Sequence, residues 1–265
     1  MNLLLLWLTV AFLAGYICKS ISVPIIVGYI LAGFLLKSLG LDTGSEILSI
    51  PAEIGVELLL FSIGLKIRPQ ALLNKSLFVV FLMHSIAILG IYLLLIGLNL
   101  PIEAKVSVCL ALTLSSTIIA SKALEGRNEA TTFHGRLSLV FLIFQDFLAL
   151  GMLIYSSNST VSFSLLSLLL LIPAVPITRW IINRIHDNNE LELLAVILMI
   201  TLLGAALFKF AGLTGEIGAL IIGVLFSTHA RSEEWSSKIW SLREILLLAF
   251  FLALGMSLEI NLPIL

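Results

Sequence analysis

The sequence predicts an all-α membrane protein with about ten transmembrane helices, and three observations carry that prediction. Of 265 residues, 60% are hydrophobic and only 12% charged, more apolar than the core of a soluble domain requires. The apolar residues fall into serial runs near the length that spans the hydrocarbon core, roughly 20 residues. The lysines and arginines then segregate to one side of those runs, as cytoplasmic loops do.

The runs, taken in order, each have a reason. Residues 3–18 form a first span rather than a cleaved signal, because many comparable runs follow. Residues 23–39 carry Gly28 and Gly33. Residues 48–67 hold Glu53 and Glu57, four apart on one helical face, where they line an entrance or face the headgroups. Residues 77–98 enclose His84, read as a packed or hydrogen-bonded histidine. Residues 106–124 contain hydroxyls at mid-run, and residues 137–155 contain Gln145 and Asp146. Residues 161–182 include Pro173 and Pro176, which favour a kink. Residues 191–210 and 213–228 follow, with Lys209 and Glu216 near span ends, where they snorkel or cap. Residues 240–258 complete the series. The connections are short, and the charged ones, including 125–129 and 231–234, read as solvated loops.

Placing the N-terminus on one side puts Lys37, Lys105 and Lys209 there. The other twelve basic residues, Lys19, Lys66, Arg68, Lys75, Lys122, Arg127, Arg136, Arg179, Arg184, Arg231, Lys238 and Arg243, fall opposite. That opposite side is therefore cytoplasmic and the N-terminus is outside. A missed or spurious span would spoil the asymmetry, so the split also supports the helix count. Cys18 and Cys109 lie in separate apolar runs without metal-ligand spacing. With no basic block and no Gly-rich phosphate loop, nothing points to nucleic acid, nucleotide or any other cofactor.

An internal repeat is also visible. Lys19, Gly28 and Gly33 recur 190 positions later as Lys209, Gly218 and Gly223, and Gly64 recurs 191 positions later as Gly255. The second and third runs thus correspond to the ninth and tenth, seven spans apart, and an odd offset makes the repeats inverted. The expected units are a first repeat over 1–156, a linker helix over 157–186 and a second repeat over 187–265. By this symmetry the second repeat needs roughly 90–110 further residues in about three helices. The expectation is that the chain is a fragment or that a separate chain supplies them.

The chemistry centres on Asp146. An ionisable side chain at mid-bilayer costs about 2.5–3.5 kcal/mol on insertion scales and marks ion or proton pathways. Thr113, Ser115, Ser116 and Thr117 sit at similar depth in the preceding run, where a broken helix would offer carbonyls and hydroxyls to a cation. A monovalent cation such as Na⁺ or K⁺ wants such hard oxygen ligands, with Asp146 as its charged contact. A single carboxylate suggests competition between proton and cation. Gln145 reads as a helix–helix hydrogen-bonding residue beside it. The alternatives are hydroxyls bonded to their own helix and an Asp146 held by a structural partner.

Residues 112–128 (Leu-Thr-Leu-Ser-Ser-Thr-Ile-Ile-Ala-Ser-Lys-Ala-Leu-Glu-Gly-Arg-Asn), 134–136 (His-Gly-Arg) and 142–146 (Leu-Ile-Phe-Gln-Asp) resemble the membrane domain of the monovalent cation/proton antiporters, in the branch of the glutathione-gated potassium efflux systems. Residues 52–55, 61–65, 218–227 and 250–257 are similar to that branch too. The resemblance implies a thirteen-helix fold with six-helix inverted repeats, two crossing discontinuous helices and usually a homodimer in the plasma (inner) membrane. It matches Asp146 to the ion- and proton-binding aspartate, Gln145 to its neighbour, and Thr113, Ser115, Ser116 and Thr117 to the unwound region. Lys66 and Arg68 stand where much of the branch has acidic residues, so regulation at that loop is not carried over.

The function expected is exchange of K⁺ or Na⁺ for protons across the lipid bilayer by alternating access. The rival reading is an incomplete or partner-dependent membrane subunit without transport activity of its own. An enzyme is not expected, since no paired acids, metal cluster or nucleophile–base arrangement stands out.

Overall fold

The computed structural model describes residues 2–67, 75–156 and 190–258, with residues 170–171, 176–178, 180 and 184 between them. Among the described residues all regular structure is helical. In chain order the helices are α1 (Asn2–Ser20), α2 (Ile25–Ser38), α3 (Ser49–Lys66), α4 (Lys75–Ile96), α5 (Ile102–Thr113), α6 (Thr117–Gly126), α7 (Phe133–Ser156), α8 (Glu190–Phe210), α9 (Gly215–Phe226), α10 (Ser232–Lys238) and α11 (Trp240–Ser257). A 3₁₀ turn, Ser45–Leu48, leads into α3.

Nine of the ten apolar runs read from the sequence fall on these helices. The remaining run, 161–182, lies largely outside the described residues. Among the described residues, six helical stretches are long and apolar enough to cross a membrane, including Lys75–Ile96 and Ile102–Gly126, and Ile25–Ser38 and Gly215–Phe226 are shorter apolar helices.

Local chemistry sets the boundaries. Pro24 and Pro101 precede α2 and α5, where a fixed φ costs no helical hydrogen bond. Gly40 and Gly212 take the left-handed conformation just past α2 and α8. There Leu41 and Leu213 donate back to the carbonyls of Leu36 and Phe208, which closes both helices with a Schellman turn. The segment 231–234, expected as loop, instead opens the short helix α10. Arg231 grips Glu234 through Nε at 2.8 Å and Nη2 at 3.2 Å, and that hydrogen bond holds the Glu234 carboxyl below its ordinary value.

Two groups of helices pack together. In one, α3 lies against α8, α9 and α11, α2 lies against α1 and α11, and α8 packs on α9. In the other, α4 contacts α5 and α7, and α6 packs on α7, with α3 touching α6 between the groups. Helix α3 is buried continuously from Gly55 to Leu65, as befits a helix that is apolar nearly all round. By contrast α4 buries only Leu77 among its described residues and turns Phe78, Leu82, Ile86, Leu89 and Leu93 outward, the pattern of a lipid-facing surface.

Glycine makes the closest crossings possible. A Cβ on Gly33 of α2 would stand 2.9 Å from the Cα of Gly255 on α11, and one on Gly223 of α9 would stand 2.9 Å from the Cα of Gly64 on α3. Gly28 and Gly218, five residues earlier in α2 and α9, abut the backbones of α1 and α8. Without a hydrophobic drive between helices in lipid, such small-residue contacts supply the packing.

Candidate functional site

The fifth apolar run is not one helix but two. Leu114 (φ −81°, ψ 138°) and Ser116 (φ −72°, ψ 116°) are extended, so α5 stops at Thr113 and α6 begins at Thr117. The break leaves carbonyls at the end of α5 and amides at the start of α6 without helical partners. Part of that demand is met locally: Ser116 Oγ accepts from Ile119 N at 3.4 Å and caps α6.

A further part is met from α7. Gln145 Oε1 accepts the Ser115 amide hydrogen at 3.2 Å, and Gln145 Nε2 donates to the Thr113 carbonyl at 3.1 Å. One amide therefore spans the unwound segment and satisfies a donor and an acceptor on either side of Leu114. Gln145 is 2% exposed, and its Nε2 also lies 3.2 Å from His84 Nε2 on α4. Beside it, Asp146 Oδ2 accepts from Thr117 Oγ1 at 2.8 Å. The carboxylate thus faces the first turn of α6, the positive end of that helix dipole.

The hydroxyl cluster divides in its roles. Thr117 reaches Asp146, Ser116 caps α6, and Ser115 contributes its backbone amide. Thr113 Oγ1 turns back to the carbonyls of Cys109 and Leu110 in its own helix, at 2.8 and 3.3 Å. Within hydrogen-bond distance the geometry therefore joins Thr117 to Asp146, while the other three brace the break.

Further acids gather around Lys209. Glu57, 2% exposed, and the exposed Glu53 both pair with it, Glu57 at 2.7 Å. Glu216 of α9 follows Gly215, where a Cβ would meet the Lys209 side chain and Glu57 Oε1. Lys209 is thus an ion-pair partner of α3, not merely a snorkelling side chain at a helix end. The covalent offset of 156 residues hides this pairing from the sequence.

A second polar cluster went unseen in the sequence altogether. Glu125, expected in a solvated loop, lies at the end of α6 with a side chain only 15% exposed. Arg243, 0% exposed, grips both of its oxygens at 3.1 and 3.0 Å. Lys66 adds a bond of 2.9 Å and Lys122 one of 3.4 Å. Lys122 and Arg243 also hold Glu244, Arg243 at 3.1 Å, and Arg243 donates to Ser62 at 3.0 Å. The signal available was an arginine three residues inside an apolar run, which needs a buried partner. The sequence does not say which acid supplies it. Among the described residues no group of three or more His, Cys, Asp or Glu is arranged to hold a metal ion.

An interrupted apolar helix braced by a buried glutamine, with a carboxylate at the break, belongs to a multi-pass helical membrane protein. The chain belongs to the family described as "Sodium/hydrogen exchanger, transmembrane", which it matches over residues 8–264. It is 30% identical over 278 aligned positions to the glutathione-regulated potassium-efflux system protein KefC of Klebsiella pneumoniae (strain 342), covering 96% of this chain and 44% of that protein. KefC of Escherichia coli (strain K12) is also 30% identical, with the same coverage of 96% and 44%. K(+) efflux antiporter 5 of Arabidopsis thaliana is 29% identical, covering 95% of this chain and 48% of that relative. The chain spans less than half the length of these relatives.

Proposed function

We propose that this chain is the membrane unit of an antiporter that exchanges a monovalent cation, K⁺ or Na⁺, for protons, with Asp146 as the group that binds each in turn. The observation that carries the reading is the Thr117–Asp146 hydrogen bond at the break between α5 and α6. A cation approaching the break meets the carboxylate and the carbonyl end of α5, both negative. When the cation leaves, a proton takes its place on the carboxylate, and the group is neutral for its return. Because one carboxylate cannot hold both, occupancy by either excludes the other, and exchange is coupled as long as the empty, charged carboxylate does not cross.

Alternating access calls for two bodies that move against each other. The packing of α4 to α7 on one another supports one such body, which meets the other along the core that Leu139, Val140 and Ile143 of α7 share with Val56, Leu60 and Ile63 of α3. The matching glycine crossings, Gly33 with Gly255 and Gly223 with Gly64, support repeats over 1–156 and 187–265 joined through 157–186. The positive residues support an N-terminus outside the plasma membrane. A homodimer is the assembly we propose, from the family resemblance.

The test is proton flux in proteoliposomes containing the full-length protein, on addition of K⁺ or Na⁺. Asp146→Asn keeps the shape and the Thr117 contact but cannot cycle a proton, and is expected to abolish exchange with insertion intact. Native exchange rates in that variant would remove Asp146 from the mechanism.

A further inference from the structure

We propose that His84 is a positioning residue of this site: through Gln145 it fixes the backbone geometry of the break between α5 and α6. The inference rests on the reading of Asp146 above and deepens it. The side-chain amide of Gln145 touches three groups whose hydrogen-bonding roles can be assigned. The Ser115 amide can only donate, so the atom facing it at 3.2 Å is the oxygen. The Thr113 carbonyl can only accept, so the atom facing it at 3.1 Å is the nitrogen.

The orientation of the amide is thus settled by backbone on both sides, and the second hydrogen on Nε2 is left for His84. At 3.2 Å the histidine Nε2 must be the acceptor, which puts the ring proton on Nδ1 and leaves the ring neutral. Phe141 holds the imidazole edge-on, with ring centroids 4.9 Å apart and planes at 81°. That packing supports the ring beside the amide.

The chain of contacts runs His84, Gln145, then the two backbone groups flanking Leu114. On either side of it stand the groups of the ion site: Asp146 follows Gln145 in α7, and Thr117 opens α6 two residues after Ser115. Without an acceptor at position 84, one amide hydrogen in a largely buried site loses its partner. Gln145 can then leave the break, and the carbonyls at the end of α5 lose the geometry that a cation needs. Chemistry at Asp146 is untouched. The expected signature is weakened cation binding with little loss of maximal rate, and it should be rescued by any side chain that restores the acceptor.

The experiment compares His84→Leu with His84→Gln, whose amide oxygen can accept, in the proteoliposome assay with the full-length protein. His84→Leu should raise the apparent KM for the transported cation about tenfold, while the maximal rate stays within about twofold. His84→Gln should return the KM to within about threefold of the native value. An unchanged KM in His84→Leu, or an equal defect in both variants, would overturn the proposal. Should His84→Leu fail to fold, nitrogen-15 spectra of histidine-labelled native protein decide the matter. An unprotonated Nε2 and a protonated Nδ1 at His84 support it, and the opposite tautomer refutes it. Asp146→Asn in parallel separates the two ideas. An inactive Asp146→Asn beside an unaffected His84→Leu sinks only the role of His84. An active Asp146→Asn beside a KM shift in His84→Leu moves the ion away from Asp146 and keeps His84 as a support of the break.

Discussion

Thr117 and Gln145 divide the work at the break between a ligand-facing and a backbone-facing hydrogen bond. A bond to a charged acceptor contributes about 1.5–3 kcal/mol, roughly twice a neutral one. Thr117→Val keeps the shape and deletes the donor to Asp146, whereas Thr117→Ser keeps it. Exchange in vesicles is expected to fall about tenfold or more in Thr117→Val and to stay near native in Thr117→Ser. Equal rates in the two variants would show that the hydroxyl does nothing there. From the sequence, the hydroxyl run and the Gln-Asp pair were legible as a site, because polar side chains at mid-run are costly and need a reason. The roles within the run were not, since Thr113 and Thr117 take different roles only because the helix breaks between them, at Leu114 to Ser116.

Helix α6 is tied down at both ends, by Thr117 to α7 and by Glu125 to α3 and α11. The second attachment is the ion cluster, and its charge balance makes an asymmetric prediction. Lys66, Lys122 and Arg243 face Glu125 and Glu244. Arg243→Gln leaves two cations with two anions, while Glu125→Gln leaves three cations around Glu244 alone. Stranding a buried charge costs about 3–5 kcal/mol, so Glu125→Gln should lower the melting temperature of the detergent-solubilised protein more than Arg243→Gln. The reverse order would mean that the arginine, not the acid, is the centre of the cluster. The helix crossings allow a simpler test. Gly64→Val places side-chain atoms where the Cα of Gly223 now lies, and overpacking of this kind costs about 1–3 kcal/mol. The corresponding loss of thermal stability should be absent for Gly90→Ala, whose Cβ would meet nothing within 4 Å. Helix existence was legible from run length, yet the partnership of Glu125 with Arg243 was not, because charge pairing over 118 residues leaves no periodic trace.

For the molecule as a whole, the apolar runs, the broken helix and the glycine positions were written in the sequence. Hydrocarbon thickness and close packing in lipid impose them residue by residue. Which helices gather around α3 follows from tertiary contacts and was not readable. Orientation is the global property on which the transport reading depends, and it can be tested with two described positions that flank α5 and α6. Asn99 is exposed between α4 and α5, and Thr131 is exposed between α6 and α7. The split of lysines and arginines puts Asn99 outside and Thr131 in the cytoplasm. Single cysteines at these positions, in a background without the buried Cys18 and Cys109, should differ towards a membrane-impermeant thiol reagent applied to intact cells. Asn99→Cys should be labelled and Thr131→Cys should be spared until the membrane is opened. The opposite pattern would invert the orientation. Labelling of both would mean that no span separates them, so the break beside Asp146 would not lie within the membrane and could not serve as an exchange site.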